Sequence, residues 1–133
     1  MLKLLYAHIC DTAFLSQNGN LNLIGIFERL YAKKFPVVHP RLAVITNLTG
    51  EVGKHTQEVK IIETKSKTEV SRPIKMDFEI KKENQKLRFI LDIVNLTFKA
   101  EGDFQVQIIL DGELAQALPF KVSTPPKPIP RGK

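Results

Sequence analysis

Gly102-Asp103-Phe104-Gln105-Val106-Gln107-Ile108-Ile109-Leu110-Asp111-Gly112 is the stretch whose reading decides the fold. On an extended backbone Phe104, Val106, Ile108 and Leu110 fall on one side, while Asp103, Gln105 and Gln107 fall on the other. A period of two with one polar side predicts a strand covering a core on a single face. Asp111-Gly112 then predicts a tight hairpin, because Gly112 accepts positive φ without steric penalty and Asp111 bonds to nearby backbone. Leu118, Phe120 and Val122 repeat the alternation on the return strand.

The same period runs backwards through the chain. Ile74, Met76, Phe78 and Ile80 alternate with Lys75, Asp77, Glu79 and Lys81. Leu87, Phe89, Leu91 and Ile93 point inward, and a phase slip near Asn95-Leu96 lets Phe98 follow them. Leu42, Val44, Thr46 and Leu48 alternate between Arg41 and Thr49, and Val59 and Ile61 form the inner pair of Thr56 to Glu63. Lys3 to Asp11 is apolar enough for a largely buried strand. Leu21 to about Ala32 is apolar on both sides, and Gly25 in its middle predicts a bulge or a close backbone approach where the chain changes face or sheet.

Between these segments lie turn signals: Ser16 to Asn20 centred on Asn18-Gly19, Gly50 to Gly53, the polar run Thr64 to Arg72, and Glu83 to Gln85. Phe35-Pro36-Val37-Val38-His39-Pro40 reads as a connection, because two prolines remove donors and fix φ. About eight short strands and no long helix predict an all-β fold, an antiparallel β-sandwich with Ig-like, Greek-key or jelly-roll connections. Residues 1–123 are expected to form one domain, and 124–133 a flexible, Pro-rich basic tail.

A chain of 133 residues, 43% hydrophobic and 26% charged, can bury a core without disulfide or metal. The single cysteine, Cys10, excludes an intrachain disulfide. His8 and Asp11 interrupt the apolar start too soon for a secretory signal, and no apolar run approaches the roughly 18 residues that cross a bilayer. A soluble cytoplasmic protein is therefore expected. The formal charge of +6 raises the prospect of an acidic partner. Its lysines are scattered among acidic residues, however, and such lysines also keep strand edges from aggregating.

The residues that could carry chemistry do not assemble in the sequence. Cys10 and His8 share a strand face but lie too far apart for a dependable thiol–imidazole contact, so Cys10 reads as a small buried hydrophobe. His8, His39 and His55 have no metal-ligand spacing, and Gly50-Glu51-Val52-Gly53 lacks the Lys-Ser/Thr of a phosphate loop. No cofactor, metal or catalytic residue is expected. Phe78, Phe89, Phe104 and Phe120 take inward phases and so are not base-stacking platforms. Tyr31 and Phe35 are the aromatic residues that packing explains least. They flank Lys33-Lys34 and lead into Val37, Val38 and His39, which makes this loop a candidate partner-binding rim, or else a flap folded over an open end of the sandwich.

Cys10-Asp11, Gly19-Asn20-Leu21-Asn22-Leu23-Ile24-Gly25-Ile26-Phe27, Phe35-Pro36-Val37-Val38-His39-Pro40 and the ending Gly102…Asp111-Gly112…Leu118-Pro119-Phe120 together resemble a family of small uncharacterised bacterial single-domain proteins. The resemblance covers nearly all of the chain except the tail. It implies no activity, cofactor or catalytic residue. The function expected is a noncatalytic protein-interaction or structural module with an unidentified protein partner. The alternative is weak, sequence-independent binding of an anionic polymer such as nucleic acid through scattered Lys and Arg.

Overall fold

The computed structural model describes residues 2–126. These residues form nine strands and no helix: β1 (Lys3–Leu15), β2 (Leu21–Ile26), β3 (Arg29–Tyr31), β4 (Val37–Thr49), β5 (Gly53–Glu63), β6 (Ile74–Ile80), β7 (Leu87–Phe98), β8 (Gly102–Leu110) and β9 (Glu113–Ser123). One sheet has the order β2-β1-β4-β7, the other β3-β9-β8-β5-β6. No helix here is long and apolar enough to cross a membrane. The tail expected from Thr124 onward lies, past Pro126, outside the described residues.

The two sheets share an apolar interior. Leu42, Val44, Leu48, Leu96 and Phe98 meet Val59, Ile61, Phe104, Val106, Ile108 and Phe120 across it. These are the inward phases of the alternating pattern, and each such side chain contributes about 1.5–3 kcal/mol when fully buried. The Phe98, Phe104 and Phe120 rings pack together with centroids 4.9 to 6.1 Å apart. Asp111 and Gly112 both have positive φ, 48° and 83°, the geometry of a two-residue hairpin, and Leu110 pairs with Glu113.

The phase slip near Asn95 has a structural counterpart. Ile93 is buried, then Leu96 and Phe98, so the buried parity changes from odd to even around Asn95, whose φ is +55°. Strand β4 changes parity at the same level. Pro40 sits opposite Asn95, between the pairs His39↔Leu96 and Arg41↔Val94, and Val37 joins the core on the side of Leu42. A proline without N–H is tolerated at such an irregularity. Val37 to Pro40 therefore belongs to a strand, which corrects the reading of this segment as a connection.

Two further corrections concern the first third of the chain. The segment from Leu21 to Ala32 is two strands, which raises the count from about eight to nine. Gly25, at φ +74°, is where the path diverges: β2 pairs with β1 and β3 joins the second sheet. A Cβ at Gly25 would collide with the Asp11 carboxylate, so the close approach foreseen at this glycine is present. The expected antiparallel sandwich is present: every strand pair is antiparallel except the short β3–β9 pair, which is parallel.

Lastly, β1 runs beyond Asp11 to Leu15, and its outer half leaves the sheet. Pairing with β4 ends at Cys10↔Ala43, whereas pairing with β2 runs from Cys10↔Ile26 to Leu15↔Leu21. The turn of this hairpin reaches back until the Gly19 carbonyl meets Arg88 of β7 at 3.5 Å. Two strand spacings are about 10 Å and five extended residues span about 16 Å, so the hairpin is long enough to cross the outer face of the first sheet. Beneath it Cys10, Ala13, Ala43 and Ile45 form a second buried cluster, with Leu21, Leu23 and Ile90 packed against them. The small side chains at positions 10, 13 and 43 fit a layer that has to pack this closely.

Candidate functional site

An open cleft of about 850 Å³ runs along one flank of the sandwich, where β1 of one sheet faces β9 of the other. Its floor is the rim of the core: Ala7, Ile9, Phe104, Leu118 and Phe120. The chain passing from β2 to β3 forms one wall, with Phe27 edge-on to Phe120 at 6.0 Å. Charged groups ring the opening, among them Glu28, Arg29, Asp103 and Lys121. Lys121 and Asp103 lie 3.9 Å apart, a loose surface pair of little energetic weight.

Both strands beside the cleft have free edges. Residues Lys3–Ile9 of β1 pair with β4 on one side and, among the described residues, have no strand on the other. On that side, among the described residues, the Ile9 carbonyl accepts the Phe27 N–H at 3.4 Å. Strand β9 pairs with β8 along its length but meets β3 only from Lys121 to Ser123.

The residues picked out in the sequence divide among different places. Tyr31, 54% exposed, lines the cleft. Lys33 and Lys34 are exposed in the following loop. Phe35, in the loop, and Val37, the first residue of β4, turn inward and pack on the core. The Phe35–Pro36 peptide is cis. Val38 faces outward, while His39 is half-buried beside Phe27, with ring centroids 6.5 Å apart. Of the seven, Tyr31 alone reaches the cleft. Sequence reasoning missed Phe27 and Leu118, which follow a positive-φ glycine and precede Pro119 on an edge; those two neighbours were the available signals.

Several titratable groups are hydrogen-bonded to the turns around them. His55 Nδ1 lies 2.7 Å from Asp111 Oδ2, and its Nε2 lies 2.8 Å from the Glu51 carbonyl oxygen. Asp111 Oδ1 accepts the Thr56 N–H at 2.9 Å, and the Thr56 hydroxyl donates to Asp77 at 3.1 Å. Burial pushes the Asp111 carboxyl up, but the hydrogen bonds from His55 and Thr56 outweigh it and hold the group below its ordinary value. The cluster ties the β4–β5 and β8–β9 turns together. Cys10 is fully buried and its thiol donates to the Thr12 carbonyl at 3.2 Å. Burial, and then the Asp11 charge, push that thiol up, away from the reactive thiolate. Among the described residues no three His, Cys, Asp or Glu side chains are grouped to hold a metal ion.

Residues 5–123 match DUF6941, a family of unknown function. The chain belongs to this family. The match begins within β1 and ends with β9, so the DUF6941 unit takes in nearly the whole sandwich, the cleft between β1 and β9 included. No curated protein matches the chain.

Proposed function

We propose that this DUF6941 member is a noncatalytic protein-interaction domain that holds an extended segment of a partner protein in the cleft between β1 and β9. The observation that carries the reading is the pairing of an apolar floor with two free strand edges beside it. An extended peptide uses such an edge for main-chain hydrogen bonds and the floor for alternate side chains. The noncatalytic part rests on the engaged state of the polar groups. Both His55 ring nitrogens face acceptors, the Thr56 hydroxyl is spent on Asp77, and the Cys10 sulfur is sealed beneath the β1–β2 hairpin. A bacterial cytoplasm as the place of action draws on the family resemblance and on the lone, unpaired cysteine.

The test is spatial. A photo-crosslinking amino acid is placed at Leu118 in the cleft, and in a control at Lys75 on the outer face of β6. The adduct formed in host cells is identified and its segment is titrated against the purified chain. The expected result is a discrete adduct from Leu118 alone, and binding that Leu118→Asp weakens by about tenfold or more. Equal labelling from both positions, or binding indifferent to Leu118→Asp, refutes the cleft as the recognition site.

A further inference from the structure

Among the asparagines of the chain, Asn18 alone precedes a glycine; Asn20, Asn22, Asn47, Asn84 and Asn95 precede leucine or glutamine. Asn18 and Gly19 sit exposed in the turn of the β1–β2 hairpin, which the Gly19 N–H closes on the Ser16 carbonyl at 2.8 Å. A Cβ at Gly19 would meet nothing within 4 Å, so the space beside the Asn18–Gly19 peptide is open.

The Asn18 carboxamide oxygen accepts two hydrogen bonds. The Ser16 hydroxyl lies 2.5 Å from it and the Asn20 N–H 3.4 Å. The Asn20 N–H only donates, which identifies the acceptor as the oxygen of the amide and not its nitrogen. Donors aimed at a carbonyl oxygen favour nucleophilic attack on the carbon, because they bind the negative charge that attack places on the oxygen.

We infer that Asn18 is a self-modification site, converted by its own turn through a cyclic imide to aspartate and isoaspartate. The Gly19 N–H first leaves the Ser16 carbonyl and gives its proton to solvent base, a gate that makes the folded chain react more slowly than an unfolded one. The freed nitrogen attacks Asn18 Cγ. An N–Cγ bond forms, and the carbonyl electron pair moves onto Oδ1, where Ser16 and Asn20 hold it. When that pair returns, the Cγ–Nδ2 bond breaks and Nδ2 leaves as ammonia, taking its proton from water. Water then adds to one of the two imide carbonyls and breaks that carbon's bond to the Gly19 nitrogen. Cleavage at Cγ leaves aspartate, and cleavage at the main-chain carbonyl carbon leaves isoaspartate. One water enters and one ammonia departs.

Asp111-Gly112, the other turn of this kind, is spared. An ionised carboxylate offers no leaving group, and both Asp111 oxygens are engaged, by His55 and by the Thr56 N–H. At Asn18 each event replaces a neutral amide with a carboxylate. It is the first charge in the stretch from Thr12 to Phe27, which has no Asp, Glu, Lys, Arg or His. The cation beside it is Arg88, whose guanidinium lies 3.5 Å from the Gly19 carbonyl oxygen. The inference goes beyond the cleft reading and does not depend on it.

Peptide mapping by mass spectrometry tests it, on the folded full chain incubated in mildly acidic and in mildly alkaline buffer. Asn18 is expected to convert before any other asparagine, faster in alkali because the attacking nitrogen must lose a proton, and with isoaspartate among the products. Ser16→Ala is expected to slow the conversion about threefold or more, the worth of one hydrogen bond, and Ser16→Thr, which keeps a hydroxyl, to restore it. Conversion of another asparagine first overturns the proposal. So does a folded Asn18 with no detectable conversion once the urea-unfolded chain has converted fully, or a rate that Ser16→Ala leaves unchanged or raises. The Leu118 labelling does not enter any of these readouts, so either reading can fail alone.

Discussion

The two hairpins of this sandwich, β8–β9 and β1–β2, start from similar material and end differently. Each is a pair of apolar-rich strands around a turn with a positive-φ glycine, Gly112 in one and Gly19 in the other. Yet β8–β9 lies within its sheet and feeds one face into the core, whereas β1–β2 leaves its sheet at Cys10 and lies across the outside of it. The difference follows from the polar positions. Asp103, Gln105 and Gln107 give β8 a face that belongs in water, so its orientation is fixed by sequence. Between Thr12 and Phe27 neither face is charged, and the hairpin can bury one side against the sheet while the other remains available.

The comparison is broken most severely at Phe120, the β9 residue stacked among Phe27, Phe98 and Phe104. Phe120→Ala is expected to destabilise the fold by about 3–5 kcal/mol in urea unfolding. A loss below about 1 kcal/mol would mean that the aromatic cluster is not where stability resides. Next comes Gly25→Ala, at the base of the other hairpin. Positive φ and collision with Asp11 act together there, and a loss of about 1–3 kcal/mol is expected, partly recovered in Gly25→Ala with Asp11→Ala. Additivity of the two changes would remove the Asp11 contact from the account.

A smaller effect is expected at the β8–β9 turn. The folded state holds the Asp111 carboxyl below its ordinary value, so its contribution is complete above the unfolded value near 3.9 and is lost as pH falls through the folded one. The side chain is 42% exposed, so solvent screening limits the contribution to at most about 1 kcal/mol. Asp111→Asn, which keeps a residue tolerant of positive φ, should be less stable than wild type at pH 7 and converge on it in acid. Parallel stability curves from pH 7 to pH 3 would contradict this. Smallest of all is Phe14→Ser on the outer face of β1–β2: the stability should change by no more than about 0.5 kcal/mol. A large loss would place Phe14 inside the folded core.

These contrasts also mark what could be read beforehand. The interior from Phe104 to Phe120, the strand from Ile74 to Ile80 and the slip at Asn95 were legible, because one polar and one apolar side leave a strand a single orientation. The Gly25 divergence was legible as a location, though not as a boundary between two strands in different sheets. The third layer was not legible. Cys10, Ala43 and Ile45 are buried on the side of the sheet away from the core, and alternation cannot distinguish a covered outer face from an exposed one. The rim at Tyr31 to His39 was half legible for a related reason. Phe35 and Val37 have the composition of a binding loop, yet both pack on the core, Val37 through the change of parity at Pro40. The partnership of His55 with Asp111 joins residues 56 positions apart, and nothing local announces it.

Pro40 and Asn95 have a consequence for descent. Because they face each other across a ladder and both strands switch sides there, shortening one strand by a single residue would send Val37 and His39, or Leu96 and Phe98, into solvent while the opposite strand kept its old phase. Matched loss from both strands would leave the neighbours in step. The two positions, so distant along the chain, should therefore be inherited or discarded together.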